Sequence, residues 1–171
     1  LAFDMLFYTG MRSGELLALT PADILPDKRI SINKNYAKVK GEELILIPKT
    51  AKSNRSIAIP DFLYDDIFDY ISKLGGIGKD DRIFYFTKSA LEKEIKRVVE
   101  KAGLPNIRVH DLRHSHASML IDMGFDILEI SERLGHESAK TTLDTYSHLY
   151  PEKDTKLAGA LNKLRRPDII E

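Results

Sequence analysis

His110-Asp111-Leu112-Arg113-His114 sets an imidazole and a guanidinium three positions apart, with Tyr146 downstream. On a helix that spacing puts His110 and Arg113 on one face, about a turn apart. A planar, permanently charged fork beside a proton-handling ring suits a phosphate. Leu112, Met119, Leu120 and Met123 are expected to form the apolar side of the same helix. Arg12, Lys49 and His136 carry related chemistry and also fall at the ends of elements.

Together these residue types describe a metal-free nucleic-acid strand transferase. A phenol of pKa about 10 is a weak nucleophile until cations favour its anion. Two arginines can hold the non-bridging oxygens of a phosphodiester and stabilise the five-coordinate transition state. A histidine can take the phenol proton, and a lysine can protonate the departing 5′-oxygen. A phosphotyrosyl link would conserve the energy of the broken bond, so no nucleotide cofactor is needed. Singly, each residue has a plainer reading: Arg12 as a helix cap, Lys49 as a solubilising loop residue, Tyr146 as one amphipathic core-edge tyrosine of seven. The five histidines also raise a metal site, since His110 and His114 are four apart. No Glu follows as in a zinc-protease helix, and Arg113 shares the face, so no metal is expected.

The elements that must position these groups are short. A chain of 171 residues fits one domain with a sizeable core. The absence of Cys excludes disulfides and thiolate metal sites and is compatible with a reducing cytoplasm. No apolar run approaches a membrane span. The 26 basic and 26 acidic side chains balance, which argues against a surface that coats nucleic acid everywhere but permits a local basic face. Lys34, Lys38, Lys40, Lys49, Lys52 and Arg55 form one basic stretch, and Lys163, Arg165 and Arg166 another. On charge alone both read as solvated surface. The chain opens inside an apolar-periodic segment, Leu1 to Phe7, and so is expected to be part of a longer protein.

Periodicity predicts a helix over 1–8 stopped by Gly10, helical turns at 16–19, and a capped start at Thr20-Pro21-Ala22-Asp23. The period then changes to two, giving three antiparallel strands at 30–39, 43–48 and 54–59, with Lys49 and Lys52 at a hairpin tip. Helices follow from Pro60-Asp61 to Gly75-Gly76, over 90–102 behind a Ser89…Glu92 capping box, and from His110 to near Gly124. Residues 83–86 read as a short strand or extended packing segment. An Asp126…Glu129 box opens the next helix, which places Ile127, Ile130 and Leu134 inward and stops at Gly135. A short helix over 139–148, capped by Ser138, carries Tyr146. In the tail, Leu157, Leu161 and Leu164 share a stripe before Pro167. The fold class is α+β, mainly helical, with a small three-stranded antiparallel sheet at one edge.

These motifs resemble the tyrosine recombinase (phage integrase) family, over about residues 5–150 and in that family's order. Thr9-Gly10-Met11-Arg12-Ser13-Gly14-Glu15-Leu16 resembles its first-arginine motif. Pro48-Lys49-Thr50 with Arg55-Ser56-Ile57-Ala58-Ile59-Pro60 resembles its lysine hairpin. His110 to Ala117 resembles its His-x-x-Arg box, and Leu134-Gly135-His136 with Thr141-Thr142 through Tyr146-Ser147-His148 its closing motifs. The resemblance implies site-specific DNA recombination, integration and excision, through a 3′-phosphotyrosyl intermediate. It implies Tyr146 as nucleophile, Arg12 and Arg113 as phosphate clamps, and Lys49 as general acid with Lys52 the second choice. His110 would assist proton transfers and His136 would contact phosphate. Glu15 would support Arg12, while His114, His116 and His148 read as packing, capping or structural groups.

Lys38, Lys40, Lys52 and Arg55 become candidates for DNA contact. The resemblance further implies a separate N-terminal core-binding domain absent from this chain, no cofactor, and double-stranded recombination sites as partners. It also implies tetramers on DNA, a docking segment within 151–171, accessory DNA-bending proteins, and a prokaryotic cytoplasmic location. The style is closest to integrases of temperate phages and conjugative transposons. Chromosome-dimer-resolving recombinases are the alternative, followed by an inactive DNA-binding regulator. A type IB topoisomerase shares the chemistry, but the compact spacing disfavours it.

Overall fold

A computed structural model of the chain describes residues 1–47, 53–147, 158–159 and 161–163. Helix α1 (Ala2–Thr9) ends at Gly10 and α2 (Ser13–Ala18) starts three residues later; a single 3₁₀ turn, Pro21–Asp23, follows. The strands are β1 (Ile24–Leu25), β2 (Arg29–Ile32), β3 (Asn35–Val39), β4 (Glu42–Leu46) and β5 (Arg55–Ala58). The remaining helices are α3 (Asp61–Lys73), α4 (Lys88–Lys101), α5 (Asp111–Asp122), α6 (Ile127–Leu134) and α7 (Ala139–Tyr146).

The fold is mainly helical with small antiparallel sheets, and the strand pairing differs from the sequence expectation. The expected strand over 30–39 is two strands. Asn33 Nδ2 donates to Asp23 Oδ1 at 3.1 Å and Lys34 Nζ lies 2.7 Å from Asp23 Oδ2. These two polar side chains draw the backbone out of the ladder between β2 and β3. One sheet then has the order β1-β2-β5, and the other is the β3-β4 hairpin, turned by Lys40 and Gly41 at positive φ. Because β5 pairs with β2, and β4 with β3, β4 and β5 are not partners in one hairpin.

Two further corrections concern helices. The α4 cap is Thr87, whose Oγ1 accepts from the Ala90 N–H at 3.2 Å, so the helix starts earlier than a Ser89 box would place it. Residues 83–86 form no strand but a bent segment: the Ile83 N–H donates to the Leu19 carbonyl at 2.8 Å, and Ile83 and Phe84 are buried. In α5 the buried residues are Arg113, His116, Ala117 and Ile121, whereas Met123 is 63% exposed. The side of α5 that turns inward therefore mixes Arg113 and His116 with Ala117 and Ile121, and His110 is the helix N-cap rather than a residue on its face.

The main core gathers α1, α2, β2, β5, α3 and α4 around Met5, Leu16, Ile30, Ile57, Leu63 and Phe84. A second, smaller cluster consists of Ala117, Ile121, Ile130, Leu134 and Tyr146, from α5, α6 and α7. Helix α1 packs on α5, which joins the two clusters, and α6 packs on α7 within the smaller one. The junctions close through Gly10 and Gly135, both left-handed helix ends at φ 66° and 68°. A Cβ on Gly10 would stand 2.6 Å from His116 Cδ2, and one on Gly135 2.8 Å from Arg55 Nη1.

Gly135→Ala therefore combines left-handed strain with displacement of a buried guanidinium. The expected loss is about 2–3 kcal/mol in urea unfolding. Gly103→Ala, at φ 66° with nothing near its Cβ, is expected to lose only about 1 kcal/mol. Equal losses would remove the packing argument.

Candidate active site

Glu15 is where the site begins. It lies in the first turn of α2 and bends back, so that Oε2 accepts the Arg12 backbone N–H at 2.7 Å and Oε1 accepts Arg12 Nη1 at 2.9 Å. The same carboxylate takes a two-pronged bond from Arg55: Nη1 to Oε1 at 3.0 Å and Nη2 to Oε2 at 2.9 Å. Arg55 Nε donates to the Arg133 carbonyl at 2.9 Å. Burial alone would raise the Glu15 pKa, but Arg55 and then Arg12 outweigh it and hold the carboxyl below its ordinary value. Glu15 is thus an ionised, buried anchor. Arg55, expected on the DNA-facing surface, has a side chain only 7% exposed and works as an internal clamp from β5 to α2 and α6. The Arg12 side chain remains 40% exposed.

Arg113 is buried by a different device. Its Nη1 donates to the Gly10 carbonyl at 2.6 Å and its Nη2 to the Leu134 carbonyl at 2.8 Å. Both are helix-end carbonyls without an intrahelical partner, at the negative end of a dipole. Burial, with Arg12 nearby, pushes the guanidinium down to about 9, so it stays charged at neutral pH. Arg133 repeats the pattern on Tyr8 O at 3.0 Å and Ala58 O at 3.2 Å. Its Nε donates to His116 Nε2 at 3.0 Å, which leaves the His116 proton on Nδ1. Burial and Arg133 hold that imidazole down to about 4.

The remaining groups face this cationic centre. His136 follows the α6 stop; its Nδ1 shares a 2.7 Å hydrogen bond with Thr142 Oγ1. Burial, then Arg113, Arg12 and Arg55, hold it down to about 4. Tyr146 is the last residue of α7. Its ring belongs to the small cluster, it is only 4% exposed, and its Oη lies 2.7 Å from His114 Nδ1. Burial raises the phenol pKa and Arg113 opposes that rise. His110 sits edge-on to His114, ring centres 4.8 Å apart. Burial, followed by His114 and Arg113, lowers its pKa.

Among the sequence candidates, Arg12, His110, Arg113, His136 and Tyr146 come within electrostatic reach of one another or of their shared neighbours. Tyr146 lies within electrostatic reach of Arg113. Lys38 and Lys40 are exposed on the β3-β4 hairpin. Lys49, Lys52 and His148 lie outside the described residues, as do Leu157 and Leu164 of the tail stripe; Leu161 is 57% exposed. Sequence reasoning missed Arg133, which reads as an ordinary cation in the last turn of a helix. It also missed Thr142 and set His114 aside as packing. The signal for His114 was its own spacing, one turn after His110 on a helix that has to receive Tyr146. Among the described residues no group of His, Cys, Asp and Glu could hold a metal ion.

Residues 1–153 match the phage integrase family. The chain is 36% identical to the ICEBs1 integrase of Bacillus subtilis, over 95% of this chain and 48% of that protein. It is 29% identical to a XerC-like tyrosine recombinase of Caldanaerobacter subterraneus, over 95% and 48%. The chain thus spans about half the length of these curated relatives. Its fold matches the Tn1549 transposon integrase solved with circular intermediate DNA, at a TM-score of 0.82 and 22% identity, covering 96% of this chain and 59% of that one.

Removing the anchor charge strands two arginines, one of them buried. Glu15→Gln is expected to lose about 3 kcal/mol in denaturant unfolding, whereas Lys73→Ala, which breaks an exposed pair with Asp69, should lose nothing measurable. Acid acts through the histidines. Unfolded imidazoles bind protons below about pH 6.5, but His116 and His136 inside the fold do so only near 4. Their contribution is whole above pH 6.5 and is lost as pH falls toward 4. Between pH 7.5 and 5, His116 alone should account for about 2 kcal/mol of the loss. His116→Gln should flatten the urea-midpoint profile by that amount.

Proposed function

The chain belongs to the phage integrase family, the tyrosine recombinases, and on that premise we propose that it is the catalytic part of a site-specific DNA recombinase of a mobile element. The observation that carries the proposal is the placement of the Tyr146 phenol beside the Arg113 centre, in a fold whose other chemical groups converge there. Arg12 and Arg113 hold the scissile phosphate. Arg12 is the half-exposed member of the pair, open to a ligand, and Arg113 is the fixed one. Tyr146 attacks the phosphorus, the 5′-oxygen leaves, and a 3′-phosphotyrosyl bond forms. Lys49 protonates the leaving oxygen. This role rests on the resemblance of Pro48-Lys49-Thr50 to the family's lysine hairpin and on its place in sequence, six positions before Arg55. His110 and His136, both held toward the neutral form, donate ring N–H hydrogen bonds to phosphate oxygens without adding positive charge beside the arginines.

Exposed Lys38 and Lys40 extend the contact along the DNA backbone, with Lys52 as a further candidate. The whole protein acts on paired double-stranded recombination sites as a tetramer, with accessory bending proteins and a further domain closing on the DNA. The 151–171 tail docks on a neighbouring copy. A bacterial cytoplasm is the setting, and no helix among the described residues is long and apolar enough to cross a membrane. Higher identity to the conjugative-element integrase than to the XerC-like relative supports a mobile-element role over chromosome-dimer resolution.

Covalent trapping tests this reading. A nicked recombination-site duplex incubated with the full protein should give a protein–DNA adduct on a denaturing gel, and Tyr146→Phe should give none. Arg12→Ala and Arg113→Ala should cut adduct formation by about a hundredfold or more, with a smaller effect on binding. Lys49→Ala should slow cleavage more than Lys52→Ala. An adduct from Tyr146→Phe overturns the mechanism.

A further inference from the structure

We propose that His114 is a catalytic residue, the group that orients the Tyr146 phenol and receives its proton as the phenol attacks. The inference rests on Tyr146 being the nucleophile. It goes beyond that reading because His110, the family's proton-handling histidine by resemblance, is not the imidazole placed on the phenol oxygen. His114 Nδ1 is, at 2.7 Å, with ring centres 5.8 Å apart. This is within the distance at which a base takes a proton directly.

Local structure enforces the contact. His114 lies in α5, one residue after Arg113, whose guanidinium is fixed to the Gly10 and Leu134 carbonyls. Tyr146 ends α7 with its ring packed on Ala117, Ile121, Ile130 and Leu134. Two fixed helices therefore hold imidazole and phenol together. The phenol O–H, taken out of water, needs an acceptor, and a neutral imidazole offers one nitrogen for that purpose. The bond therefore runs from Tyr146 Oη–H to His114 Nδ1, which sets the His114 proton on Nε2.

The charged and titratable groups around His114 favour transfer at the moment of attack. His110 touches its ring edge, Arg113 and Asp111 flank it on α5, and His136 approaches from the α6–α7 turn. His110 and His136 are biased toward neutrality, so they add little repulsion to an imidazolium. Asp111 is held ionised by Arg108 and offers a partly compensating charge. As the Tyr146 Oη–P bond forms and the P–O5′ bond breaks, the phenol proton moves to His114 Nδ1. The departing 5′-oxygen takes its proton from the general acid proposed at Lys49, so charge and protons balance. Rejoining reverses each transfer.

Single-turnover adduct formation on a nicked duplex, followed from pH 5.5 to 8.5, tests the assignment. Wild-type rates should rise with pH through one ionisation. His114→Asn keeps an acceptor oxygen near the Nδ1 position but cannot take the proton. It should be about a hundredfold slower and should lose that ionisation, and His114→Phe should be no faster. A His114→Asn rate and profile equal to wild type overturn the proposal. A wild-type adduct that Tyr146→Phe abolishes shows the nucleophile assignment standing even then. Absence of a wild-type adduct would instead overturn both readings. Independently of any variant's folding, ¹⁵N-histidine NMR of the DNA-free full protein should show His114 protonated on Nε2. A proton on Nδ1 overturns the acceptor role.

Discussion

Burying several arginines close together is the constraint that shapes this structure, and the ends of helices meet it. Arg113 takes the Gly10 and Leu134 carbonyls, Arg133 takes those of Tyr8 and Ala58, and Arg55 takes that of Arg133. Apart from Ala58, these acceptors lie in the last turn of α1 or α6 or just beyond it, where carbonyls lack intrahelical donors and the helix dipole is negative. Each shortage relieves the other: the carbonyls gain charged donors and the cations gain oriented negative poles. Glu15 adds the one full anion, shared between Arg12 and Arg55. Left-handed glycines are required because a side chain at Gly10 or Gly135 would occupy the space of His116 or Arg55.

The rest of the site inherits its character from that arrangement. Burial first, and then the fixed positive field, holds the imidazoles neutral, and His136 and His116 both fall to about 4. The phenol experiences two opposed influences, desolvation raising its pKa and Arg113 lowering it. In the proposed role, such a centre would receive a phosphate with its guanidiniums already held in place. An incoming anion would also change the field that His136 experiences, which links ligand binding to the protonation of the groups beside it.

Much of this was legible in the residues. Glycine stops at Gly10 and Gly135, the Asp126–Glu129 box and the Ser138 cap carry local signals that tertiary packing left unchanged. Reading α5 by its apolar residues succeeded only in part: Leu112 and Leu120 pack on the two clusters, but the helix also buries Arg113 against distant carbonyls and His116 against Arg133, which no periodicity rule anticipates. The strand over 30–39 was overextended because alternation continues through Asn33 and Lys34, while the side-chain bonds that divide it reach back to Asp23. Arg55 and Arg133 look like solvent-facing charges in sequence. Their partners are scattered along the chain, and only the packed fold reveals them.

The grips on Arg113 and Arg133 also say something about the order of events in folding. Gly10 and Arg113 are separated by 103 positions, and Tyr8 and Arg133 by 125. Closing such loops costs entropy that only late, long-range packing returns. A nascent chain released as far as α5 has its first arginine and its histidine box but not the α6 end that fixes them, nor the tyrosine. The arginine centre therefore assembles only once α1, α5 and α6 are all present, so a copy cut short before α6 lacks the carbonyl that holds Arg113 as well as Arg133 itself.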